Sequence, residues 1–248
     1  MVDRASAVLI RHHVLSARGV AFGAVALALG VYYAVSDTLW DASKWWDLAF
    51  LAALLIPAVF ALVLLGLPLR RARGLLAVGL ACALLAVVLE AADLGAAANF
   101  AKLAAATGIG FWFLEWFERP SWVVLVACLV PVVDAISVWR GPTRHVVEER
   151  REVFTALSFA FPVPGEQASA NLGVPDLLFF ALFLAAAARF GLRVSWTWAA
   201  MTASFGLTLT LATVTDAFGL PALPLLCLAF LGVNADLLWR DLPRRRPG

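Results

Sequence analysis

Two aspartates stand in apolar surroundings where carboxylates are costly. Asp134 lies in "LVPVVDAISVWR", and Asp176 lies in "NLGVPDLLFFALFLAAA". A third anomaly is "GLPALPLLCLAF", which places Pro221 and Pro224 in one of the most apolar stretches of the chain. Each proline lacks a backbone donor and clashes with the turn before it, so the pair predicts a break in a helix. Asp134 precedes Arg140 by six residues, roughly 9 Å of helix. Asp176 follows Ala170 by six residues, roughly 9 Å again if that stretch is helical. Consecutive antiparallel helices then carry both carboxylates to one depth below the same surface. Two carboxyl groups brought close in a low-dielectric site cannot both ionise, so an acid and a base stand side by side and titrate as one unit. Such a pair activates water against a peptide carbonyl. Pro221 and Pro224 fall at about the same level. A broken helix there must be buried in protein or line a cavity, and its freed backbone groups suit an extended substrate.

Structural roles for the same residues stand beside this one. Asp176 is placed to cap a positively polarised helix end, and Asp134 to make a polar contact between helices. Asp216, Asp236, Glu90 and Asp93 border apolar segments and read as interfacial, with Asn234 and Asp236 the least settled of the border residues.

The elements that must position the aspartates are membrane helices. Of 248 residues 63% are hydrophobic and 15% charged, and the mean hydropathy is +0.90, which excludes an ordinary soluble domain. Eight spans are expected, near 19–35, 47–68, 74–92, 98–117, 121–139, 172–190, 194–215 and 218–239, each approaching the roughly 20 apolar residues that cross a bilayer. They make one membrane domain over 1–248, with amino-terminal helices to 120 and a catalytic-like part over 121–239. The first span also has the basic lead-in of a signal peptide, but its apolar run is long for one. With the amino terminus cytoplasmic, 13 Lys and Arg lie inside and 6 outside, as the positive-inside bias requires. Both termini are then cytoplasmic and the loop 140–170 is outside. The 17 Arg against 2 Lys, with abundant Ala and Gly, point to a GC-rich prokaryotic genome and so to a prokaryotic plasma membrane. Cys82, Cys128 and Cys227 read as buried thiols. The net charge of +2 gives no reason to expect nucleic acid.

Residues 140–170 form the one long loop. Its first half is polar. Its second half alternates Val153, Thr155, Leu157, Phe159 and Phe161. Two readings stand: an amphipathic segment on the bilayer surface, or an edge strand offered to a partner.

"PALP" at 221–224, an apolar helix with an aspartate near its start and an earlier mid-helix aspartate together resemble the presenilin and signal peptide peptidase family of intramembrane aspartyl proteases. "LGVPDLLFFALFLAAAARF" at 172–190 is similar to the helix bearing the family's GxGD motif, and "PVVDAISV" at 131–138 to the helix with the first catalytic aspartate. The resemblance spans residues 121 to 239. It implies an all-α polytopic bundle, Asp134 and Asp176 as the catalytic pair, and Gly173, Pro175, Pro221, Ala222, Leu223 and Pro224 as residues that shape the site and hold substrate. It implies transmembrane helical substrates within the lipid bilayer, no metal and no cofactor. Val133 stands where the family usually has Tyr, and Pro175 replaces the second glycine of GxGD.

His12, His13 and His145 lie outside the expected spans, and neither a zinc-protease motif nor a Ser–His pair at membrane depth can be assembled. The leading expectation is therefore an intramembrane aspartyl protease. A non-proteolytic relative that binds or chaperones membrane partners is the alternative, motivated by Pro175 and Val133. A proton-coupled transporter ranks third, because no internal repeat is evident. Oligomeric state is not encoded in these patterns.

Overall fold

The structure is a computed structural model that describes residues 4–140, 157–166, 169–215 and 220–241, with side chains described over 17–137, 157–166, 169–215 and 220–240. The order is α1 (Arg4–Val35), α2 (Lys44–Phe50), α3 (Ile56–Gly66), α4 (Leu75–Ala91), α5 (Gly95–Phe113), α6 (Pro120–Arg140), β1 (Ser158–Pro162), β2 (Ser169–Gly173), α7 (Val174–Arg189), α8 (Val194–Thr215) and α9 (Leu223–Asp241). A π turn over Leu51–Leu55 joins α2 to α3 in one rod. It falls just before Pro57, whose ring would clash with the carbonyl four residues back in an unbroken α-helix.

Helix α7 is apolar on every side, and that composition puts it at the centre. Leu177 and every residue from Phe180 to Ala187 are fully buried. Phe60 of α3 packs against Phe180 of α7 with ring centroids 4.0 Å apart and stacks on Phe205 of α8 at 4.9 Å. Phe183 of α7 stacks on Phe230 of α9 at 4.8 Å. Helix α5 runs against α7 at backbone contact: a Cβ placed on Gly110 would lie 2.6 Å from the Leu178 carbonyl oxygen.

The outer helices are apolar outward. On α4, Val78, Leu80, Leu84, Leu85, Val87 and Val88 are exposed, and on α6 so are Leu125, Leu129, Val132, Val133 and Ile136. Walls of this kind suit hydrocarbon and not water. Five helical stretches among the described residues are long and apolar enough to cross a membrane: Ala17–Thr38, Lys44–Arg71, Pro120–Ser137, Val194–Thr215 and Leu223–Arg240. Exposed tryptophans sit at both ends, with Trp40, Trp45 and Trp46 at one and Trp116, Trp122, Trp196 and Trp239 at the other, in the manner of aromatic belts. The chain has the build of a mostly helical membrane protein.

The described part of the expected loop's second half is neither an amphipathic segment on the surface nor an open edge strand. β1 and β2 pair antiparallel, with Ser158 opposite Gly173 and Pro162 opposite Ser169. Phe159 and Phe161 are buried, whereas Leu157 is exposed. The polar half, Val153, Thr155, His145 and Asp216 lie outside the described residues. The thiols also differ from expectation: Cys227 is buried, Cys82 half-buried and Cys128 exposed, because Cys128 sits on the outward wall of α6.

The α5–α7 contact generates a test. Gly110→Ala drives a Cβ into a helix backbone that cannot yield, and is expected to destabilise the protein by about 1–3 kcal/mol. Gly232→Ala, with open space around its Cβ position, is expected to be neutral or slightly stabilising. Thermal melts in detergent compare the two.

Candidate functional site

The prolines of the PAL segment do not break a helix. Helix α9 begins at Leu223, so Pro221 precedes it and Pro224 is its second residue. A proline there loses no helical bond, since the first N–H groups of a helix have no intrahelical partner. The first helical bond runs from the Leu226 N–H to the Ala222 carbonyl at 3.1 Å. Ala222 and Leu223 are buried, and Pro221 and Pro224 half-buried.

The orphan N–H of Leu223 has a partner. It donates to Asp134 Oδ2 at 3.3 Å. Asp134 is carried by α6, which lies along α9, and it closes the amino end of α9 as a capping residue would from within the chain.

Asp176 is the third residue of α7, which starts two residues after the expected 172. The segment before Val174 is the strand β2, which rules out a helical 170–176. Gly173 is the N-cap, Pro175 sits in the first turn, and the Gly173 N–H donates to Asp176 Oδ2 at 3.1 Å. A Cβ on Gly173 would lie 3.0 Å from that oxygen, so a side chain there would crowd the carboxylate. Pro175 fits the start of a regular helix and is exposed.

The two aspartates share one neighbourhood. Asp134 is near enough to Asp176 for their charges to interact, and the buried Cys227 thiol of α9 is near both. Asp134, Asp176, Gly173, Ala222 and Leu223 therefore gather around the amino ends of α7 and α9, with Pro175, Pro221 and Pro224 in the same two segments. Each carboxylate is half-buried and receives one backbone N–H.

The hairpin that leads into Asp176 is held by side chains that the patterns of the sequence do not single out. Tyr32 Oη donates to the Pro162 carbonyl at 2.6 Å, and Tyr33 Oη to the Ala160 carbonyl at 2.7 Å. Asn99 accepts from the Ala160 N–H at 3.2 Å and donates back to its carbonyl at 3.4 Å. Lys102 Nζ donates to the Ser158 carbonyl at 3.1 Å and pairs with Glu90 at 2.8 Å. The outer edge of β1 is thus closed by α1 and α5. One signal was available: the chain has 2 tyrosines, adjacent, and both serve this strand.

At the far end Asn234 is not interfacial. It is fully buried, donates to Thr197 Oγ1 at 2.8 Å and accepts the Arg193 N–H at 3.0 Å, tying α9 to α8. Asp236 is interfacial, exposed and bonded by both oxygens to Arg193 at 2.7 Å. Among the described residues no three of His, Cys, Asp and Glu gather as metal ligands would.

Fold and site together define a membrane protein of mostly helical build whose two half-buried carboxylates close the amino ends of neighbouring helices. No protein-family model matches the chain, and no curated protein matches it.

Lys102 is the keystone of the hairpin anchor. Lys102→Met leaves Glu90 and the Ser158 carbonyl without their cation, and a loss of about 3 kcal/mol is expected. Adding Glu90→Leu should recover at least part of it. Melting curves of the single and double variants measure both.

Proposed function

We propose that the protein is an intramembrane aspartyl protease of the presenilin and signal peptide peptidase type, hydrolysing peptide bonds of transmembrane segments. The observation that carries this reading is the meeting of Asp134 and Asp176, from different helices, within range of each other's charge. In this reading all eight helical rods cross the bilayer, both termini are cytoplasmic, and the hairpin end faces outward from a prokaryotic plasma membrane.

The chemistry needs one ionised and one protonated carboxyl. The ionised group takes a proton from water as the water oxygen bonds to the scissile carbonyl carbon. The protonated group gives its proton to the carbonyl oxygen. The resulting diol collapses as the C–N bond breaks: the nitrogen gains a proton from the acid then present, a diol hydroxyl gives its proton to the other carboxylate, the products are a carboxylic acid and an amine, and the pair again holds one proton. Each aspartate uses one oxygen, Oδ2, for a backbone N–H, which leaves the other for water or the carbonyl.

Substrate must be unwound before cleavage, and β2 supplies a template for it. Its rungs to β1 leave the groups of Ser169, Asn171 and Gly173 turned outward, by alternation from the Val174 N–H to Leu157 carbonyl bond at 2.9 Å. Of these the Gly173 N–H is held by Asp176 and the Ser169 carbonyl by the Asn171 side chain, which leaves the Asn171 backbone as the pair of groups facing a peptide. The edge offered to an extended peptide is therefore β2, next to Asp176, and not β1.

A second reading, a non-proteolytic protein that binds or chaperones membrane partners, is favoured by one specific feature. Both aspartates already serve as helix caps, which is reason enough to retain them for stability.

Purified protein incubated in detergent with labelled helical peptides separates the two. Asp134→Ala and Asp176→Ala are each expected to reduce cleavage by at least about a thousandfold, with about 1 kcal/mol lost from the melt for the missing cap. Cleavage that survives either change excludes the protease. Capture of peptide by the wild type without fragments supports the binding protein.

Asn171→Pro removes an outward N–H of β2 while leaving the rungs of the hairpin in place. Relative to Asn171→Ala, which loses the same side-chain bonds to Ser158 Oγ and the Ser169 carbonyl, turnover is expected to fall about tenfold with an unchanged melting temperature. Equal turnover removes strand addition from the mechanism.

A further inference from the structure

At the end of the bundle opposite the aspartates a cavity of about 430 Å³ opens between helix ends. It is lined by Arg70, Arg71, Phe111, Leu114, Glu115 and Arg189. Three segments distant in sequence converge there: the turn after α3, the end of α5 and the end of α7. Phe111 and Leu114 are buried and form an apolar wall. Its volume lies within the roughly 300–1,000 Å³ typical of small-molecule sites.

The arginines are held in place but not neutralised. Arg189 donates to the Leu114 carbonyl at 2.7 Å, and Arg70 to the Leu67 carbonyl at 3.1 Å. Both bonds cap carbonyls at helix ends, where cations are favoured. A guanidinium has five N–H donors, so most of this donor capacity remains. Arg71 makes no hydrogen bond to a described residue. Its charge is close enough to Arg70 for the two to repel. Glu115, the one acid in the lining, forms no ion pair with any of the three arginines among the described residues. Three cations that share a cavity with a single acid, which pairs with none of them among the described residues, make a site for an anion that accepts several N–H bonds at once, which is the chemistry of a phosphate.

The surroundings choose the source of that phosphate. Leu69 and Trp116, next in sequence to Arg70 and Glu115, are exposed. Trp116 belongs to the ring of tryptophans at this end, and such rings lie at headgroup level. Apolar surface for acyl chains therefore adjoins donors for a headgroup. Basic pockets between helix ends take anionic lipids in this way. We infer that the cavity formed by Arg70, Arg71 and Arg189 binds the phosphate headgroup of an anionic membrane lipid. The inference is independent of proteolysis.

The test uses the full chain, delipidated in detergent, with native mass spectrometry as the readout. Phosphatidylglycerol is expected to stay bound where phosphatidylcholine does not. Arg71→Gln touches no capping bond and should weaken phosphatidylglycerol retention about tenfold, the loss of one charge-assisted contact, with the melting temperature unchanged. Glu115→Gln should strengthen it. Equal retention of the two lipids, or a full-strength Arg71→Gln variant, overturns the site. Displacement of the lipid by inorganic phosphate at the same concentration overturns the lipid as its occupant in favour of a soluble anion.

Discussion

A backbone N–H or C=O taken out of water must find another partner, and inside a lipid layer the requirement has no exception. Each unmet group costs several kcal/mol in an apolar medium. Helices meet it internally except at their ends, and strands except at their edges. This chain places a hairpin and the starts of α7 and α9 at one end of a membrane-type bundle, so that end must supply polar side chains. Asp134 answers Leu223, Asp176 answers Gly173, and Tyr32, Tyr33, Asn99 and Lys102 answer β1. The gathering of carboxylates is a consequence of closing those ends.

That origin also leaves room for the chemistry proposed for the same residues. A carboxylate has two oxygens and about four lone-pair directions. One backbone N–H occupies one oxygen of each aspartate and fixes its direction, while the other stays available. A carboxylate fixed by a cap is also preorganised, because reorienting it would cost the cap. The Cys227 thiol beside the pair is buried and small and apolar in behaviour.

The two ends of the bundle are connected by its most apolar member. Helix α7 carries Asp176 in its first turn and Arg189 in its last, with a fully buried run between them. A rod packed on all sides transmits a displacement at one end to the other, since close-packed interiors deform little. Gly110 lets α5 press against that rod. Asn234 locks α9 to α8 in the lower half. At the Leu223 end of α9 the side-chain hydrogen bond among the described residues comes from Asp134, beside buried Ala222, Leu223 and Leu226.

Hydropathy and charge, read along the chain, determined most of the helical scaffold. The stretches expected near 47–68, 74–92 and 194–215 lie within a few residues of the observed rods, because apolar runs need no distant partner to be recognised. Asp134 and Asp176 stood out for the same reason: a charge among apolar neighbours is a local anomaly. The sequence also held the reason for α7's central place, an apolar residue at nearly every helical position. The start of α9 at Leu223 was misplaced, since proline reads alike inside a helix and in its first turn, and the strand before Gly173 was not expected. Only the tertiary structure decided what the polar residues do. The tyrosine bonds to β1 join residues 130 and 127 apart in sequence, and the cap on Leu223 joins residues 89 apart. No periodicity encodes such pairings, because they form between groups that each element leaves unsatisfied and that meet only when the elements pack.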